Sequence, residues 1–370
     1  MSYTFTRRRL FSGFDGATCK ASPRIATDGK TTFLLYHMIK LCGSDVCFGM
    51  DITRTDDGEH FTEPKRMAGL ASVYRDGFRI QPDGNLLYSR RFGKWFGIGR
   101  TTYYQSDLHP VLLGEDKPSG GITVSGDPIF LTFDPETADF TSWEALDFPF
   151  PYLCATPFSF HELPSGELLI GFYYNTPDMP EFTRLQILRY DVSGDRPRAV
   201  GYGAPILNTE IERGLSEPEI VLFRGKYYMT IRSNENAFLA ESEDGLNYSE
   251  PRLWRFDDGE LLGSINTQQH WLKGGDGELY LTYTRKTPYN DHVIRNRAPI
   301  FITRYDADRD CLIRAEEVPL VPELGARLGN FRIVHLSESE KWLVVCEWMQ
   351  PIGCEKYGSD NSLWLVKLRF

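Results

Sequence analysis

The chain has 370 residues, with 41 Lys and Arg against 51 Asp and Glu, a net charge of −10. That balance disfavours nucleic acid as a partner, because phosphate binding needs a basic face. No run reaches membrane-spanning length, no apolar stretch follows the basic N-terminal residues, and the seven cysteines are odd in number and lack paired zinc-ligand spacing; the expectation is a cytoplasmic protein with reduced thiols, no membrane partner, no metal and no cofactor.

Taken in chain order, six segments each read as an alternating apolar strand, a turn and a second strand. They are residues 22–29 into 33–36, 78–84 into 85–89, and 158–166 into 167–172, then 219–225 into 226–231, 270–277 into 278–283, and 331–339 into 341–346. Alternation marks half-buried strands, and the Gly- or Ser-containing breaks mark the turns. A third strand follows most of them, at 46–53, 129–133, 185–190, 237–241, 300–305 and 363–368. Their spacing of roughly 50–80 residues suits four-stranded propeller blades with loops.

One turn is written twice. Thr55-Asp56-Asp57-Gly58-Glu59-His60-Phe61-Thr62-Glu63-Pro64 and Ser242-Glu243-Asp244-Gly245-Leu246-Asn247-Tyr248-Ser249-Glu250-Pro251 share the order hydroxyl, acid, Asp, Gly, two variable residues, aromatic, hydroxyl, Glu, Pro. The oxygens can accept from turn amides, and the Gly tolerates positive φ. The spacing therefore predicts an all-β, six-bladed β-propeller formed as a single domain over residues 1–370. Residues 3–6 are expected to pair with the last blade, so that N- and C-terminal strands close the ring and remove its open edges.

In a propeller the innermost strands end at the axis, so functional side chains belong there and on the loops leaving them. Arg24, Arg232 and Arg297 fall at such places on three blades. Three converging guanidiniums repel one another unless an anion sits between them, and their forks suit a carboxylate. His161, His270 and His335 each sit on the first strand of a blade, and the shared register of His161 and His270 argues for a structural part, whereas His37 lies closer to Asp45 and could reach the same rim. Glu347, at a strand end as Arg232 is, serves as a reserve carboxylate.

The chain resembles the sialidase superfamily. Ser22-Pro23-Arg24-Ile25 is similar to that family's opening Arg-Ile-Pro strand, residues 215–225 with Arg232-Ser233 to its Glu-Pro strand and second arginine, and Arg297 before Pro299-Ile300-Phe301-Ile302 to its third. The two repeated turns resemble its Asp-boxes, shortened by one residue and with Phe61 and Tyr248 in place of the final Trp. The loop Cys42-Gly43-Ser44-Asp45-Val46 resembles the one carrying the catalytic Asp. The resemblance implies a three-arginine clamp (Arg24, Arg232, Arg297), Asp45 as acid/base and Glu217 as partner of a nucleophilic Tyr. That Tyr is missing: Leu328-Gly329-Asn330-Phe331-Arg332 stands where the family keeps it. Tyr74, Tyr283 and Tyr289 are the candidates for a displaced one.

These residues lead to an exo-acting glycoside hydrolase on an acidic sugar, either sialic acid-like or a uronic acid, with an acidic oligosaccharide or glycoside as partner. Asp45, Glu217 and Glu347 are its catalytic candidates, and Arg24, Arg232, Arg297 and His37 line its binding site. A uronate-cleaving lyase and a non-catalytic glycan-binding or scaffold propeller are the alternatives.

Overall fold

The computed structural model describes residues 3–41, 45–105, 109–110 and 126–370. Six small antiparallel sheets form a six-bladed β-propeller. Blade one is Thr18–Thr27, Thr32–Lys40, Cys47–Thr55 and Lys65–Arg66; blade three is Cys154–Glu162, Leu168–Thr176, Met179–Asp191 and Arg198–Tyr202. Blade four is Ser216–Phe223, Lys226–Arg232, Ala237–Ser242 and Arg252–Leu253, and blade five runs through His270–Lys273, Leu279–Tyr283, Ile300–Asp306 and Cys311–Leu312. In blade six Arg332–His335, Glu340–Cys346 and Leu363–Arg369 are completed by the N-terminal strand Thr4–Leu10, which pairs antiparallel with the last strand from Thr4↔Arg369 to Leu10↔Leu363. The expected closure is thus present.

Blade two departs from the expected pattern. Residues 78–84 and 85–89 are one strand, Phe78–Ser89, whose partner is Lys94–Gln105, followed outward by Pro128–Asp134 and Asp139–Ala145. Gly84 makes no turn; it lies opposite Gly99, and a Cβ on Gly99 would come within 1.9 Å of the Asp83 carbonyl oxygen. Gly97 in turn makes room for the Phe140 ring, which a Cβ there would meet at 2.5 Å. Close packing, not chain reversal, put these glycines in place.

The core lies between blades. Leu34, Tyr36, Trp342, Val344 and Leu365 fill the seam between blades six and one, and Phe33, Leu35, Leu131 and Phe140 fill the next. Trp254, Trp271 and Tyr305 knit blade four to blade five, with edge-to-face and tilted rings at centroid separations of 5.3–5.6 Å, and Tyr283 joins the same cluster. Each such aromatic buries a large apolar area and adds roughly 0.5–1.5 kcal/mol per ring pair beyond it.

The repeated turns have one geometry. Thr55 Oγ1 and Ser242 Oγ each accept from the amide of the following Gly, at 2.8 and 2.9 Å, while Asp57 and Asp244 each accept two amides at 2.8 Å. Both glycines have φ +74°, and each turn docks on the preceding blade: a Cβ on Gly58 would strike Trp342, and one on Gly245 would strike Leu169. Among the described residues, no helix is long and apolar enough to cross a membrane, and six cysteines are unpaired.

Candidate functional site

A device shared by the inner strands shapes the axis. Blades one to four each carry a proline in their first strand, Pro23, Pro82, Pro157 and Pro218. Proline donates no amide hydrogen bond, so it fits a strand whose free edge faces an open channel. In three of the blades the pairing register slips beside it, between Ala21 and Arg24, Pro157 and Ser159, and Ser216 and Glu219. Such bulges re-aim side chains. Ser22 and Glu217, each just before its proline, take positive φ of 45° and 49°.

The cavity so formed has a volume of about 210 Å³ and is lined by Arg24, Arg232, Arg297, Asp45, Glu217 and His37 together. Of the fourteen non-glycine residues with positive φ among the described residues, six line it: Ser22, Asp45, Arg213, Glu217, Arg295 and Asn330. Strained backbone held by its surroundings concentrates at working sites.

Glu217 is nearly buried and receives Arg232 Nη1 at 2.5 Å. Burial raises its carboxyl pKa, but the charges of Arg232, Arg297 and Arg332 outweigh that and hold it below the usual range. It is therefore an ionised carboxylate. Asn266 holds two of the arginines: its Oδ1 accepts from Arg232 Nε at 2.9 Å, and its carbonyl accepts from Arg297 Nε at 3.1 Å and from Nη2. Arg297 is 2% exposed, and burial followed by the Arg232 charge pulls its guanidinium well below the ordinary value. Arg24 Nη1 donates to the Ser22 carbonyl at 3.0 Å, while its Nε is buried without a partner.

Asp45 has φ 58°, and its carbonyl accepts the Tyr104 hydroxyl at 2.7 Å. Cys42, Gly43 and Ser44 lie outside the described residues. His37 stands between Cys47 and Asp83: its Nδ1 lies 3.6 Å from Cys47 Sγ and its Nε2 3.5 Å from Asp83 Oδ2. The row invites a thiolate–imidazolium reading, but burial pushes the imidazole down to about 4 and the thiol up to about 12. Both are neutral at pH 7, so Cys47 is no activated nucleophile.

The structure does not bring Glu347 to the cavity. At 1% exposure its carboxylate accepts the amides of Asp360 and Ser362 at 2.7 and 2.9 Å and Trp364 Nε1 at 2.9 Å, with Arg9 Nη2 3.5 Å away. It ties the last blade to the N-terminal strand. The displaced-tyrosine candidates also lie elsewhere: Tyr74 and Tyr289 are 71% and 58% exposed, and the buried Tyr283 donates to Glu317 Oε1 at 2.6 Å. The lining tyrosines are Tyr104 and Tyr173. Where the sialidase Tyr was expected, Asn330 donates to Ser22 Oγ at 2.9 Å and Phe331 is buried against His270. Gly329 there lies against Arg297, whose Cδ a Cβ would meet at 2.5 Å.

Sequence reasoning missed Asp83, Arg100, Arg213, Arg295, Arg327 and Arg332, all of which line the cavity. Asp83 had a signal, since Pro82-Asp83 repeats the placement of Pro23-Arg24 in the neighbouring blade. Arg213, Arg295 and Arg327 arrive on loops, which carry no period.

The ring and its axial cavity can be set beside solved structures. A protein of unknown function from Dyadobacter fermentans matches with a TM-score of 0.65 at 16% identity, over 98% of this chain and 99% of that one. The NanB sialidase of Streptococcus pneumoniae matches at 0.64 and 12% identity, over 98% and 70%, and the Trypanosoma rangeli sialidase at 0.62 and 11%, over 98% and 59%. The fold is the six-bladed propeller of the sialidases. The chain spans about three fifths of the Trypanosoma rangeli protein's length. No protein-family model matches the sequence, nor does any curated protein.

Proposed function

We propose that this sialidase-fold protein is an exo-acting glycoside hydrolase whose substrate presents a sugar carboxylate to Arg24, Arg232 and Arg297. The observation that carries the reading is the meeting of these three arginines, from three blades, in one cavity with the ionised Glu217. Guanidinium forks bind carboxylates through paired charge-assisted bonds, and burial strengthens them. The Trypanosoma rangeli sialidase, at 10% identity, is solved in complex with sialic acid; the shared fold, together with the three arginines lining this cavity, supports an acidic sugar here.

In this mechanism Asp45 protonates the departing glycosidic oxygen, the bond to the anomeric carbon breaks, and water adds to that carbon. Glu217, already a carboxylate, takes the water's proton. Asn330 and Phe331 offer no group able to form a covalent glycosyl link, so direct water attack replaces the tyrosine step, and simple sialosides are expected to be poor substrates. Elimination from a uronate is the second reading. It rests on His37 at the same wall, neutral but, at about 4, a weak base, which abstracts a proton only because a neutralised carboxylate makes that proton more acidic.

Activity of the wild-type protein and of Asp45→Asn on aryl glucuronides, galacturonides and sialosides tests this. The variant should lose at least about a hundredfold in kcat while KM changes little, because the amide keeps the shape and lacks the proton. Full activity of the variant removes Asp45 from the mechanism, and an unsaturated uronate product replaces hydrolysis with elimination.

A further inference from the structure

The cavity holds more positive charge than one carboxylate can use. Among the described residues, eight arginines line it against Asp45, Asp83 and Glu217, a surplus of five, in a chain whose net charge is −10. The neutral His37 adds none. Arg100 and Arg332 are tied into the wall, the first donating to Thr156 Oγ1 at 3.0 Å and the second to Gln268 Oε1 at 3.1 Å while lying 4.3 Å over the Phe158 ring.

Arg213, Arg295 and Arg327 remain. Arg327 is 3% exposed, lies 3.4 Å over the Trp348 ring and donates from Nη2 to Gln350 Oε1 at 2.6 Å, yet its Nε is buried with no partner. Arg213 and Arg295, with φ 66° and 57°, have no ion pair among the described residues. Burial and the Arg232 charge pull both guanidiniums below their ordinary value. All three lie within electrostatic reach of Asp45, but one carboxylate among three guanidiniums still leaves two charges over. Arg327 is buried, Arg213 half-buried and Arg295 exposed at the cavity mouth; like charges crowded at one wall repel, and an anion between them relieves that repulsion.

We propose that Arg213, Arg295 and Arg327 form a second anion subsite beside Asp45, so that the substrate is a dianionic saccharide. Its first carboxylate engages Arg24, Arg232 and Arg297, and a sulfate ester, phosphate ester or second carboxylate engages the other three. The inference rests on the carboxylate reading proposed above and narrows its substrate class.

Calorimetric titration of the full chain with glucuronate, a glucuronate sulfate ester, glucuronate phosphate and digalacturonate tests it. At least one dianion should bind about tenfold or more tightly than glucuronate, the step expected of an added charge-assisted pair, and the tightest identifies the second group. In Arg213→Gln and in Arg295→Gln the ratio between that dianion and glucuronate should collapse towards one. Arg232→Gln should weaken all four probes. If wild-type protein binds every dianion no better than glucuronate while Arg232→Gln weakens glucuronate, the second subsite is wrong and the first stands. If Arg232→Gln changes nothing, the carboxylate reading itself falls. The wild-type comparison needs no variant to fold.

Discussion

At the scale of single residues the site depends on charges kept close by their hydrogen bonds. Arg232 binds Glu217 and Asn266 at once, a fork that Lys cannot reproduce. Arg232→Lys should therefore weaken acidic-sugar binding by at least about a hundredfold, two lost charge-assisted bonds, measured by calorimetry beside a melting curve that confirms folding. His37 gives a pH signature. Its folded pKa of about 4 lies below the 6.5 of the free side chain, with burial the leading cause. A depressed histidine contributes stability that is present above pH 6.5 and is lost as pH falls from 6.5 towards 4, when the unfolded chain takes the proton first. That loss is on the order of 3 kcal/mol for the buried His37. His161, pushed to about 4, and His335, to about 3, act in the same direction. The melting temperature should fall steeply across that window, and His37→Gln should flatten part of the fall; an unchanged slope would show that His37 is already protonated in the folded state.

At the scale of elements the repeated turn is the testable unit. Gly58 and Gly245 combine φ +74° with a neighbouring blade at 2.6–2.7 Å, whereas Gly277, with φ +81°, has nothing within 4 Å. Alanine at Gly277 should cost about 1 kcal/mol, the backbone penalty alone, and alanine at Gly58 or Gly245 about 2–4 kcal/mol because the docked blade must also move. Denaturant midpoints of the three variants decide; equal losses would mean the turns do not set the blade contact. The same turns made the ring legible in the sequence, since a hydroxyl, an Asp and a Gly at fixed offsets have few other uses. Legibility failed at Gly84, whose part is to let Asp83 and Gly99 approach, a tertiary demand that local spacing cannot express. Glu347 shows a different failure. Its place at a strand end matches that of Arg232, but its carboxylate satisfies the amides of Asp360 and Ser362 from a loop thirteen to fifteen residues on. Arg213, Arg295 and Arg327 were unreadable because irregular loops bring them to the axis, while Arg24 and Glu217 were readable because each stands beside a proline in an inner strand.

At the scale of the whole molecule, closure and function are linked. The inner strands present Arg24, Glu217 and their neighbours to one another only while the ring stays shut, and the N-terminal strand Thr4–Leu10 is the outer strand of the last blade. Removing residues 1–10 would expose the edge of Leu363–Arg369 and strip Tyr3 and Phe5 from the cluster between blades five and six. The truncated chain should melt well below the full one and associate through the bared edge, as differential scanning fluorimetry and light scattering can measure; an unchanged, monodisperse product would show that the ring does not need this strand. The net charge of −10 contrasts with the arginines gathered at the axis, a distribution expected to draw small anions inward. The central claim is that one sugar carboxylate sits among Arg24, Arg232 and Arg297. A crystal structure of the protein soaked with glucuronate measures it most directly. The account predicts carboxylate density within about 2.7–2.9 Å of nitrogens from all three arginines, the range of charge-assisted bonds; a sugar bound with its carboxylate away from them would contradict it.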